Sequence, residues 1–204
     1  MFQVSKSEPN YFKSAKAKVK FPKVKGAWED KHISAIRKDL REHILEEEQN
    51  SLCIYCEKKI SFEEKYSNID HFKTRNLFPE MSLTYENLLV SCNTHNRCSS
   101  LKDSKKESIV KYKEDYLKIV DVVLENPHEF FDYLITGEIE AKNEKGQFSI
   151  DVFNLNDSAL KEQRLLIFQS LEYVGNLSLQ EIYDVFGYEF QSFIQTIYPK
   201  LKAL

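Results

Sequence analysis

The chain has 204 residues, 42% of them hydrophobic and 30% charged, with a formal net charge of −3. That balance describes one well-filled core, or one small domain with substantial extensions, and excludes a disordered or low-complexity chain. No apolar run approaches the about 20 residues a membrane span needs and no apolar signal core is visible, so the expected setting is the cytoplasm, away from any membrane.

Residues 1–26 hold seven lysines against one acid, Glu8. Pro9, Pro22 and Gly26 interrupt this basic arm, which is expected to be irregular. It suits contact with phosphate or with an acidic surface, and it equally suits a solvated tail. From 27 to 49 the spacing predicts one amphipathic helix beginning near Trp28. Ile33, Ile36, Leu40 and Ile44 recur three and four residues apart, with Lys38, Arg41 and Glu42 on the other side. Its expected role is packing.

Residues 50–105 contain all four cysteines. "SLCIYCEKKIS" predicts a strand or hairpin with two cysteines at its turn, "YSNIDHF" a strand and "ENLLVSC" a second. A long helix is expected over "SLKDSKKESIVKYKEDYLKIVDVVLE". The region 106–204 is expected to be mostly helical, with one hairpin in "FFDYLITGEIEAKNEKGQFSIDVFNL" turning at "NEKG". Asp157 is the candidate N-cap of "SALKEQRLLIFQSLEYV", and "SLQEIYDVFGYEFQSFIQTIYPKL" predicts one or two further helices. The fold class is α+β.

Cys53 and Cys56 can bind one ion from a tight turn, because two intervening residues let both sulfurs point the same way. Zinc needs four ligands, and the second pair can be read in two registers: Cys92 with Cys98, or Cys92 with His95. The all-cysteine set is preferred, since it leaves no spare thiol beside the site. A redox pair is the competing reading, but it normally sits in a βαβ unit that is not apparent here. Structural zinc leaves Asp70, His71 and Asn87 unexplained. A small zinc-clamped ββα unit would bring the strand of His71 against the strand after Asn87 and the helix after Cys98. His71 then offers a base with a tunable pKa beside a carboxylate able to hold a hard cation, a pairing suited to activating water against a phosphate. A surface histidine beside an acid is the plainer alternative.

The ordered set Cys53-x2-Cys56, Ile69-Asp70-His71, Tyr85-Glu86-Asn87-Leu88-Leu89, Ser91-Cys92 and Cys98-x3-Lys102-Asp103 resembles the HNH endonucleases, the ββα-metal fold with cysteine knuckles, over residues 50–105. "KSEPNYF", the helix from Trp28 and the stretch from Phe153 to Arg164 resemble more narrowly the HNH subunit of Septu-type and retron-associated anti-phage systems. The resemblance implies a metal-dependent nuclease with helical extensions on a zinc-clamped core. In it, His71 is the general base, Asp70 the ligand of a catalytic magnesium or manganese ion, and Asn87 the brace of the loop that aims His71. The position after the last zinc ligand is Ser99 in the all-cysteine register, a poor metal ligand, with Lys102 matching the following lysine. In the other register it is Asn96, a good ligand, and His95 could instead serve from an enlarged knuckle. The implied partners are nucleic acid, DNA before RNA, and an ATPase of the SMC/ABC-like class. The competing class is a zinc-stabilised nucleic-acid or protein binding module, or a degenerate nuclease, that does not cut.

Overall fold

The computed structural model describes residues 1–174 and 177–201. The N-terminal segment is not a loose arm. Helix α1 (Asn10–Lys16) starts after Pro9 and buries Phe12 and Ala15, while Met1, Phe2, Val4 and Val19 are buried too. Lys6 is held inside by the Glu48 carboxylate and donates 2.8 Å to the Leu88 carbonyl. Abundant lysine masked an apolar set that the fold uses.

The single helix expected over 27–49 is broken. A 3-10 turn at Lys25–Glu29, α2 (Lys31–Ser34), α3 (Arg37–His43) and a π-type turn at Ile44–Glu48 follow one another. The breaks have local causes. The Asp30 side chain accepts from the His32 amide and starts α2, as side-chain caps do, and Ile36 (φ −114, ψ 3) leaves the helical region before α3. Ile33, Leu40 and Ile44 nevertheless all face inward.

Strands β1 (Ser67–His71) and β2 (Leu88–Cys92) pair antiparallel, with Ser67 opposite Cys92 and His71 opposite Leu88. Alternation along a strand sends successive side chains to opposite faces. Leu88 and Val90 join one cluster with Phe12, Trp28, Ile33 and Leu40. Leu89, on the other face, joins a second with Tyr55, Phe72, Phe153, Leu160 and Phe193, to which Cys92 at the strand's end also belongs. The two-stranded sheet is therefore the wall between two cores. Buried Gln49 ties it to the first knuckle, donating to the Leu52 and Val90 carbonyls and accepting from the Val90 amide.

Helix α4 (Cys98–Lys102) packs on β2. The long helix expected beyond it does not form; only Lys113–Lys118 makes a 3-10 turn, capped by the Asp115 carboxylate on the Lys111 and Tyr112 amides. Ile119, Val120 and Val122 are all fully buried; the Val120 amide donates to Ser149 Oγ and the Val122 carbonyl accepts from the Val4 amide, partners outside any local helix.

The hairpin exists but turns earlier than expected. Strands β3 (Phe131–Tyr133) and β4 (Ile139–Ala141) are joined through Gly137 at φ +82. "NEKG" instead opens α5 (Glu144–Phe153), because the Asn143 side chain accepts from the Gly146 amide at 2.9 Å and caps the helix. Helix α6 (Ser158–Val174) begins with Asp157 accepting from the Ala159 amide. Helices α7 (Leu179–Phe186) and α8 (Gln191–Leu201) are separated at Gly187, φ +62.

Candidate active site and metal centre

The four cysteines converge. Their sulfurs lie within 4.8 Å of one another and all four residues are buried. Cys53 and Cys98 approach to 3.8 Å, Cys56 and Cys92 to 4.0 Å. A tetrahedron with zinc–sulfur bonds of about 2.3 Å has edges of about 3.8 Å, so the spacing suits such an ion. The knuckles need unusual backbone to aim the thiols: Glu57 (φ +61), Asn96 (φ +60) and Cys98 (φ +54) all take the left-handed region. His95 is exposed and outside the sulfur cluster. Four thiolates around a divalent ion leave a net negative charge. Buried Arg97, ion-paired to Asp157 at 3.0 Å, stands nearby; burial works against its charge, but the thiolates hold its pKa above the ordinary value.

Asp70 and His71 end β1 and are both buried. One Asp70 oxygen accepts the Tyr55 hydroxyl, whose ring stacks on Phe153 at 3.9 Å. The other, Oδ1, is 3.0 Å from Lys102 Nζ but accepts no hydrogen bond. Lys102 Nζ donates to the carbonyls of His71 (2.9 Å) and Phe72 (3.3 Å) and to Asp103 Oδ1 (2.8 Å). Burial opposes the ammonium charge, but the carboxylates of Asp70 and Asp103 outweigh it and raise its pKa.

His71 Nε2 lies 3.0 Å from the Ser82 carbonyl. A carbonyl only accepts, so Nε2 carries the proton and Nδ1 keeps its lone pair. The ring packs edge-on against Trp28 at 4.7 Å. Burial lowers the His71 pKa to about 4, helped by the charges of Arg75 and Lys102, against the Ser82 bond and Asp70; at neutral pH the imidazole is uncharged. Buried Asn87 spans the loop between the strands. Its Oδ1 accepts from the Lys73 amide at 2.7 Å, and its Nδ2 donates to the carbonyls of Lys73 and Met81. It thus pins both ends of the segment leading to Ser82, the residue that orients His71.

Asp70, His71, Lys102 and Asp103 line one cavity of about 460 Å³ with Lys25, Arg75, Lys105 and Lys111 at its basic rim. Asn96 is not among its walls; it is exposed in the second knuckle, where its carbonyl accepts from Asn154 Nδ2. Ser99 sits in α4 within 3.2 Å of Asn68 Nδ2, and Asn68 lines the cavity. Sequence reasoning singled out neither Tyr55 nor Asp103 for a role. Tyr55 lies inside the Cys53–Cys56 knuckle and Asp103 directly follows Lys102, so each was adjacent to a motif, but nothing local showed where its side chain goes.

The structure thus places buried Asp70 and His71 and a cluster of four thiols on two strands and a short helix. No family model matches the chain. It is similar to the Septu protein PtuB of Bacillus thuringiensis, 33% identical over 122 residues that cover 59% of this chain and 43% of that protein. It is also similar to "Retron Vc95 putative HNH endonuclease" of Vibrio cholerae serotype O1 biovar El Tor, 29% identical over 136 residues, 62% of each chain. The chain thus spans about half the length of the curated relatives it matches. Both are homologues, and the resemblance read from the motifs, to HNH-type nucleases of anti-phage defence, is shown by them.

Proposed function

We propose that this protein is a metal-dependent endonuclease of the HNH type, hydrolysing phosphodiester bonds in nucleic acid, DNA before RNA. The observation that carries the reading is His71: neutral, fixed through Nε2 with Nδ1 left unprotonated, and lining a cavity rimmed by lysine and arginine. In this reading Nδ1 takes a proton from water as the water oxygen bonds to phosphorus, and the ester P–O bond breaks with its electron pair leaving on the departing oxygen, which takes a proton from solvent. Asn87 keeps the base in place through the segment it pins. Lys25, Arg75, Lys105 and Lys111 suit the phosphates that flank the scissile bond. Asp70 would hold a magnesium or manganese ion, and its Oδ1, buried without a hydrogen bond, fits that use; the ion when bound would neutralise charge building on the phosphate. The four thiols would hold a structural zinc.

The same reading makes the chain the nuclease subunit of a cytoplasmic anti-phage complex, with an ATPase of the SMC/ABC-like class as partner. The similarity to Septu and retron proteins supports it. The test is cleavage of plasmid DNA and of total RNA with magnesium or manganese, by wild type and His71→Ala, with and without a co-encoded ATPase. Wild type cuts and the variant loses about a hundred- to ten-thousandfold. Equal cutting by both would refute the assignment, and nucleic-acid binding without any cutting would favour the binding module.

A further inference from the structure

The motif leaves the second ligand of the catalytic ion open between Asn96, Ser99 and His95, and none of the three lines the cavity of Asp70. We propose that Asp103 is that ligand, so that Asp70 and Asp103 form a carboxylate pair for a divalent cation of the magnesium or manganese type. The inference rests on reading the cavity as a hydrolytic site and completes its metal shell.

The two carboxylates already share one positive charge. Lys102 Nζ lies 3.0 Å from Asp70 Oδ1 and 2.8 Å from Asp103 Oδ1, so both oxygens are within reach of a single cation. Independently, Asp70 Oδ1 is buried and accepts no hydrogen bond, while the other oxygen is taken by Tyr55. Its one partner is the Lys102 ammonium, an ion pair without a well-aligned hydrogen bond, so the oxygen keeps lone-pair capacity that a divalent cation could use. The two residues also differ in freedom. Asp70 is locked on β1, whereas the Asp103 side chain, just after α4, is 46% exposed and can turn towards an ion. Magnesium and manganese ask for little more from protein: one or two carboxylates, with water and substrate phosphate filling the other positions. Lys102 keeps its bonds to the His71 and Phe72 carbonyls when Asp103 turns away from it.

The experiment is manganese binding by the full-length, zinc-loaded protein, read by electron paramagnetic resonance and by quenching of Trp28. Trp28 is the chain's one tryptophan, and it lines this cavity. Loss of support to a ligand alone costs about 10- to 100-fold in metal affinity, so Asp103→Asn and Asp70→Asn each weaken binding by at least about tenfold. Exposed Glu80→Gln serves as the unchanged control, and Asp103→Ser replaces the amide should that variant fold poorly. Wild-type affinity in both Asp103 variants, or no manganese bound by wild type, overturns the proposal. Cleavage is measured separately. A wild type that binds manganese through Asp103 yet cuts nothing sinks the nuclease reading and leaves the site. A wild type that cuts while Asp103→Asn binds normally sinks only the ligand.

Discussion

Asp70 and His71 are neighbours in the chain but face opposite sides of one strand, and each is held by a different part of the molecule. Asp70 meets Tyr55, itself stacked on Phe153 of α5; His71 meets Trp28 and the Ser82 carbonyl. Tyr55→Phe keeps the stacking and removes only the hydroxyl donated to a carboxylate, so it should cost about 1.5–3 kcal/mol of stability, measured by denaturant unfolding. His71→Ala should abolish cleavage and also lower the melting temperature, because the ring is buried against Trp28; a cost of about 1–3 kcal/mol is usual for such a vacancy. A melting curve identical to wild type would mean that this packing contributes nothing.

At the scale of elements, the strand pair and α4 carry the site, and the remaining elements fix where it points. Asn87 replaces three backbone partners that the irregular segment 73–81 lacks. Asn87→Ala should leave β1 and β2 paired but raise hydrogen exchange at the Lys73 amide by more than tenfold, about 1.4 kcal/mol or more of local opening. The β3–β4 hairpin shows how close packing limits sequence. A Cβ on Gly137 would lie 2.2 Å from the Lys161 carbonyl of α6, and φ there is +82. Gly137→Ala is therefore expected to destabilise by more than about 1 kcal/mol, read as a lowered melting temperature. "NEKG" was legible as a break, but Asn-rich breaks serve hairpins and helix caps alike; only the partner of the Asn143 side chain separates them.

For the whole molecule, the thiol centre lies inside the larger of two cores and the N-terminal segment contributes to both. If these thiols hold a metal, as proposed, chelation should unfold much more than residues 50–105, since the thiols are packed among Leu52, Ile54 and Leu89 and would lose their common ligand. One equivalent of zinc by elemental analysis and loss of a cooperative melt after chelation are the expected results; a metal-free protein that melts as before would exclude a structural role. Deleting residues 1–26 strips Met1, Phe2, Val4, Phe12, Ala15 and Val19 from these cores. It should lower stability outright, where a loose basic arm would have changed only binding. Co-expression with the proposed ATPase, followed by size-exclusion chromatography, tests the hetero-complex; a fully active protein eluting apart from its partner would count against it.

Features whose chemistry is local were legible from the amino-acid order alone. Cysteine spacing marked the two knuckles, apolar runs marked β1 and β2 within a residue or two, and Asn87 was legible as the residue that pins the loop between them. Helix caps at Asp157 and the C-terminal helices were legible for the same reason, since a capping side chain bonds its own backbone a few residues on. The remaining features depend on contacts between residues far apart in the chain. The burial of an arm rich in lysine, the closing of the sulfur cluster by Cys98 with His95 left exposed, and the meeting of Tyr55, Lys102 and Asp103 at Asp70 all rest on partners from 15 to well over 40 residues away. Local propensity is worth tenths of a kilocalorie per residue, while burial of a large side chain is worth about 1.5–3 kcal/mol, so where the two disagreed the core won.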